Sequence, residues 1–175
     1  MAKISNTAAY PSISNLDSAD YLVLTDAENE LKTKTATIEQ IQTLFGIDTL
    51  VAKVTVNTGS LLTLGTTSIT LIAAPGANKV IDIISISQYL DAGTTQFNFG
   101  NNLEVKIGAT TFGTLFAQSA NFATDLVSKI GVGGSTYVID QNTAVTLETA
   151  ANPSQGNGTM YFNIFYRVLN VGTSF

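Results

Sequence analysis

Apolar and polar residues alternate in short runs over most of this chain, and the densest run, SITLIAAPGANKVIDIISIS (residues 68–87), sets the class of the fold. Ile69, Leu71 and Ala73 fall on one face of a pleated strand, and beyond the hinge Ile81 and Ile83 alternate with Asp82, the period of two that strands require. Pro75 presets φ at the hinge, and Gly76 supplies a positive φ if the turn needs one. The same patterning predicts strands at 51–56, 60–64, 68–73, 79–90, 96–99, 103–107, 136–140, 144–149 and 159–171. Turn signals punctuate them at Asp91-Ala92-Gly93, Gly131-Val132-Gly133-Gly134 and Asn152-Pro153-Ser154. That many strands predict an antiparallel β-sandwich or jelly roll over residues 49–175. Only 114–129, where Leu115, Phe116, Phe122 and Leu126 suit strand or short helix equally, is read as irregular.

The first 48 residues follow a different pattern. Residues 1–20 have little periodicity and are expected to run as an extended arm. Tyr21, Leu22 and Leu24 then sit in a short strand, Asp26-Ala27-Glu28-Asn29-Glu30 makes a turn, and Leu31, Thr33 and Thr35 alternate with Lys32 and Lys34 in a second strand. Thr37 and Gln40 have the spacing of a capping box, after which Ile38, Ile41, Leu44 and Phe45 line one face of a helix that Gly46 ends. A hairpin with one short helix is a poor core by itself, so this module is expected to be completed by a partner chain.

The last strand is apolar on both sides. Met160, Phe162, Ile164, Tyr166 and Val168 share one face, while Tyr161, Asn163, Phe165, Arg167 and Leu169 share the other. Such a strand is either central in its sandwich or buried at a subunit contact. Arg167, the single arginine, has two readings beside Phe165: an interface anchor, or the partner of a carboxylate on a neighbouring strand.

Composition excludes most chemistry. The chain has no Cys, His or Trp, so there is no thiolate nucleophile or disulfide, and the commonest general base is missing. A zinc site would need carboxylates alone. No cofactor or metal is expected. The acidic turn 26–30 places carboxylates at alternate positions as a calcium loop does, but Leu31 and Thr37 stand where an EF-hand needs Gly and Glu. Asp82, Asp91, Glu104, Asp125, Asp140 and Glu148 are candidate hydrolytic pairs, yet no two share a motif, and surface carboxylates explain them better. The 131–134 glycine run has no Lys closely after it and opens no helix pattern, so it reads as a connection between strands.

Thirteen acidic residues face eight basic ones with no basic cluster, which argues against nucleic acid. Seven of the acidic residues lie before Thr49, against three lysines. No apolar run approaches the length of a membrane span, and MAKISNTAAYPS lacks a signal-peptide core. Charged residues make up only 12% of the chain, so its surface suits packed contact with other protein.

The segment ISNLDSADYLVLTDAENELKTKTATIEQIQTLFG resembles the opening of tail- and head-fibre proteins of tailed bacteriophages. The stretch LLTLGTTSITLIAAPGANKVIDIISISQYLDAGTTQF, with GTMYFNIFYRV, is similar to a β-sandwich domain of phage virion proteins. The resemblance implies a non-enzymatic virion structural protein, assembled in the bacterial host cytoplasm. It implies a homotrimer, a head fibre or capsid decoration protein whose residues 1–48 attach it to a capsid or tail protein. The rival reading is a tail-fibre or receptor-binding module, in which the Asn-, Gln- and Thr-rich loops 91–102 and 152–158 contact host-surface glycans.

Overall fold

A computed structural model describes residues 21–26, 32–38, 40–41, 49–132 and 140–172. The chain divides into two units, Met1–Asp48 and Thr49–Phe175. In the first, β1 (Tyr21–Asp26) pairs antiparallel with β2 (Lys32–Thr37) in a register running from Tyr21 opposite Thr37 to Asp26 opposite Lys32. Helical backbone follows at Ile38, Gln40 and Ile41. The capping box closes as the spacing predicts. The Thr37 N–H donates to Gln40 Oε1 (2.9 Å), and the Gln40 N–H donates to Thr37 Oγ1 (3.1 Å), so two donors with no partner inside the helix are satisfied reciprocally. The expected arm 1–20, most of the acidic turn, and Leu44, Phe45 and Gly46 lie outside the described residues.

The second unit is a jelly roll. Its elements are β3 (Leu50–Val56), α1 (Thr58–Leu62), β4 (Ile69–Ile72), β5 (Lys79–Asp91), β6 (Leu103–Ile107), β7 (Thr110–Leu115), α2 (Ala117–Ala120), β8 (Leu126–Val132), β9 (Val145–Thr149) and β10 (Thr159–Asn170). The strands pair in nested fashion, β3 with β10, β4 with β9, β5 with β8 and β6 with β7, as a long ribbon would after rolling up. Rolling sets β10 beside β5 and β6 beside β9, giving one sheet ordered β3-β10-β5-β8 and another ordered β7-β6-β9-β4. The two are stitched along one side where β7 meets β8, at Gly113 opposite Val132 and Thr114 opposite Gly131. On the other side β3 and β4 are edges.

Inward positions of both sheets build one core, in which Leu103, Val105, Leu147, Met160, Phe162 and Ile164 are essentially inaccessible. The phase of β5 changes partway: Ile81 and Ile83 point inward, then Ile86 and Leu90 do. A bulge makes this possible, because Ser85 pairs with Phe165 and Ile83 with Tyr166, leaving Ile84 out of register and exposed. At the hinge Gly76 adopts φ +100°, the positive value the turn requires.

Four local expectations are corrected. Residues 60–64 are not a strand: Asn57 caps α1 by accepting from the Ser60 N–H (3.0 Å), and Leu61 and Leu64, three residues apart, both bury. Residues 96–99 bury Phe97 and Phe99 alternately but join no ladder, because the Asn121 side chain bonds both the N–H (2.7 Å) and the C=O (2.8 Å) of Phe99. The segment 114–129 is ordered rather than irregular, comprising the end of β7, α2 and the start of β8. In β4 the bulge at Leu71 turns both Leu71 and Ile72 inward, so Ala73 does not share the inner face. Of the strand expected at 136–140, only Asp140 lies within the described residues.

Candidate functional site

Antiparallel alternation gathers the connections β3–β4, β5–β6, β7–β8 and β9–β10 at one end of the sandwich, opposite the end where the chain enters at Thr49. These loops hold one another through side-chain amides. Asn157 accepts from the Thr95 N–H (2.7 Å) and donates to Thr94 Oγ1 (2.9 Å). Asn98 Oδ1 accepts from the N–H groups of Ser154 (2.8 Å) and Gln155 (3.2 Å), and Asn152 Oδ1 accepts from the Gly65 N–H (2.6 Å). Asn102 accepts from the Ala117 N–H (3.0 Å), tying in the β7–β8 connection. Thr58 reaches across to the Gly158 carbonyl (2.8 Å). The packing is close enough that a side chain at Gly93 or Gly156 would run into Asn157 or Phe97. Of the amides expected to meet glycan hydroxyls, Asn98, Asn102, Asn152 and Asn157 are thus engaged with neighbouring loops. Among these exposed polar loops stand two large apolar side chains, Phe116 and Phe122, 66% and 47% exposed.

The outer face of the β7-β6-β9-β4 sheet carries charges that pair with one another. Glu104 on β6 stands directly opposite Glu148 on β9, and Lys106 reaches both, at 3.4 and 3.0 Å. Thr111 and Thr146 hydroxyls donate to Glu104 and Glu148, each at 3.2 Å. The hydrogen bond to Glu148 is the main cause holding the Lys106 ammonium above its ordinary pKa, against the opposing effect of burial; Glu104 adds to it. The structure therefore brings together two of the candidate carboxylates, but around a shared lysine.

The outer face of β3-β10-β5-β8 is different. Its register aligns Thr55, Tyr161, Tyr89 and Val127 in one row across four strands, and Lys53, Asn163, Ser87 and Lys129 in the next. The rings of Tyr89 and Tyr161 stack 5.8 Å apart. They stand 37% and 40% exposed, and Val127 is 69% exposed. The two rows, Lys129 apart, line a depression of about 320 Å³. Tyr89 donates its hydroxyl to Asp125 Oδ2 (2.9 Å), and Asp125 Oδ1 accepts from the Ala92 N–H (3.0 Å). That hydrogen bond, followed by burial and the charges of Asp125 and Asp91, raises the pKa of the Tyr89 phenol.

No protein-family model matches this sequence, and no curated protein does. Among solved structures, a chain of the "Cyanophage Pam1 capsid asymmetric unit" is similar over 69% of this chain and 84% of its own, with a TM-score of 0.50 and 19% identity. The likeness is one of fold.

The sequence-predicted interface residues fall into both units. Tyr21, Leu22 and Leu24 lie on β1, and Lys32 and Lys34 on β2, with Leu24 opposite Lys34. Ile38 and Ile41 are half-buried on the first helical turn. Phe165 lies on β10 between Val51 and Ser85, on the same outer face as Tyr161. Arg167 stands opposite Asp82 on β5, and its Nε donates to Asp82 Oδ2 (3.1 Å), so its carboxylate-pairing reading is the one realised within the chain. Sequence reasoning missed Tyr89, Val127, Phe116 and Phe122. Tyr89 was legible from its outward parity between Gln88 and Leu90; Phe116 and Phe122 carried no periodic signal. Among the described residues no three acidic side chains form a metal-binding group, and no helix is long and apolar enough to cross a membrane.

Proposed function

We propose that this chain is a non-enzymatic structural protein of a bacteriophage virion, a trimeric head fibre or capsid decoration protein attached through residues 1–48. One observation carries the reading: over 69% of its length this chain is similar in fold to a chain of a phage capsid asymmetric unit. The character of the polar groups supports it. Glu104 and Glu148 hold a lysine, Asp82 holds Arg167, and the loop amides hold one another, which suits a body that must be rigid rather than reactive. Three weak attachments acting together bind far more tightly than one.

Gold-tagged antibody against residues 50–175, viewed on purified particles by electron microscopy, tests the placement. Gold spread over the head is the expected result. Gold confined to the tail tip would overturn it in favour of the receptor-binding reading. Truncation through Gly46 should leave a folded sandwich that no longer binds particles, and unaltered binding would sink the role given to residues 1–48.

A further inference from the structure

We infer that the outer face of β3-β10-β5-β8 is the surface through which sandwiches of neighbouring copies meet, the inference resting on the trimeric reading above. The face is unlike its counterpart across the core. Val51, Tyr161, Tyr89 and Val127 leave apolar surface in water across all four strands, whereas the opposite outer face closes its charges on itself. Aromatic residues stacked in a shallow depression are the kind that anchor protein contacts.

Size and connectivity select the occupant. Four strands spaced about 4.8 Å apart, over seven residues rising about 3.3 Å each, make a face of roughly 19 by 23 Å. That is well short of the roughly 800 Å² per partner of a standard interface, so the face by itself is too small to capture a free protein tightly. It suits a partner already delivered by another attachment. A second copy is such a partner, because β3 begins at Leu50, two residues after the unit expected to join the copies. An association of residues 1–48 therefore raises the local concentration of the sandwiches of neighbouring copies.

Charge agrees. Lys53 lies on the β3 edge of the face, while Asp91 lies at the end of β5, four residues beyond the row of Lys53, with Asp125 close by. Among the described residues neither Lys53 nor Asp91 has a charged partner. Strand spacing and rise separate them by about 16 Å within one copy, too far to pair. A contact in which the β3 edge of one copy meets the Asp91 corner of the next pairs them, and such a heterologous contact closes into a ring of three where each copy is turned by a third of a circle from the last.

The test is sedimentation of the full-length protein over a concentration series. The wild-type chain should be a trimer. Tyr161→Glu should raise the trimer dissociation midpoint about tenfold or more. Val127→Glu, at a still more exposed position, should do the same and guards against misfolding of the first variant; unchanged circular dichroism verifies both folds. Lys53→Asp and Asp91→Lys should each weaken the trimer, and the combined swap should restore it. A wild-type trimer whose midpoint neither glutamate variant moves overturns this face while leaving the trimeric reading intact. Intact trimers that lose particle binding in Tyr161→Glu would assign the face to another virion protein and overturn the inference. Single charge variants that weaken the trimer without rescue by the swap overturn the pairing of Lys53 with Asp91. A monomer at every concentration overturns the trimeric reading itself.

Discussion

On the β7-β6-β9-β4 sheet the outward positions of β6 and β9 carry Glu104, Lys106, Thr146 and Glu148, and every one finds a partner on its own sheet. On β3-β10-β5-β8 the outward row holds Tyr161, Tyr89 and Val127, whose ring and aliphatic surfaces stay exposed while the Tyr89 hydroxyl bonds Asp125. The inward sides, by contrast, are interchangeable in kind, each a row of aliphatic and aromatic side chains with almost no accessible surface. The difference teaches where specificity is written in a sandwich. Folding requires inward positions to be apolar, but it leaves outward ones free to be satisfied internally or reserved for a partner.

The comparison supposes that the two inner sides contribute alike. Phe162→Ala and Leu147→Ala should each cost about 2–5 kcal/mol in urea unfolding, since each removes a side chain that is at most 1% exposed. A large loss confined to one sheet would break the supposition. Gln88 is the exception on the inner side: it is fully buried, and neither its Oε1 nor its Nε2 has a hydrogen-bond partner. Gln88→Met keeps the volume and removes the unmet polar atoms, so the urea midpoint should rise, by about 1–2 kcal/mol in stability. A fall would mean that the amide holds the pairing of β5 with Phe162 and Ser128 in a way apolar packing does not.

The charged face is sharpened by Lys106→Met, which leaves Glu104 directly opposite Glu148 and should cost about 0.5–1 kcal/mol at neutral pH. In the wild-type protein the raised Lys106 pKa sets the pH limit of this contribution. Its contribution is complete below the unfolded value of 10.5 and is lost as pH rises through the folded one, so the two proteins should converge at high pH. A difference that ignores pH would mean the triad acts through packing alone.

The smallest effect belongs to the apolar face. Asp125→Asn should lower the pH at which Tyr89 ionises, followed as tyrosinate absorbance against the wild-type titration. The raised phenol pKa favours folding below the unfolded value of 10.0, and this is lost as pH rises through the folded value. An unchanged titration would remove Asp125 as the group that fixes Tyr89 on this face.

Local rules made much of the fold legible. The capping box at Thr37 and Gln40, the β1–β2 hairpin, the Gly76 turn, and β3, β5, β6, β9 and β10 were all readable from alternation and turn chemistry, because each depends on residues a few positions apart. The misreadings have two causes, one distant and one local. Residues 96–99 alternate as a strand would, but their backbone partners belong to Asn121 and Gln155, 22 and 59 residues away. Residues 60–64 are apolar enough for a strand until the Asn57 side chain caps them into a helix.

The sequence by itself determined a mainly β chain without thiol or imidazole chemistry, because alternation and composition are properties of short windows. Only the tertiary structure decided which strands roll together, that Glu104 and Glu148 share one lysine, and that Tyr161, Tyr89 and Val127 form a single row. Those outcomes depend on register between segments tens of residues apart, and register is set by burying the whole core at once, which no short window of sequence contains.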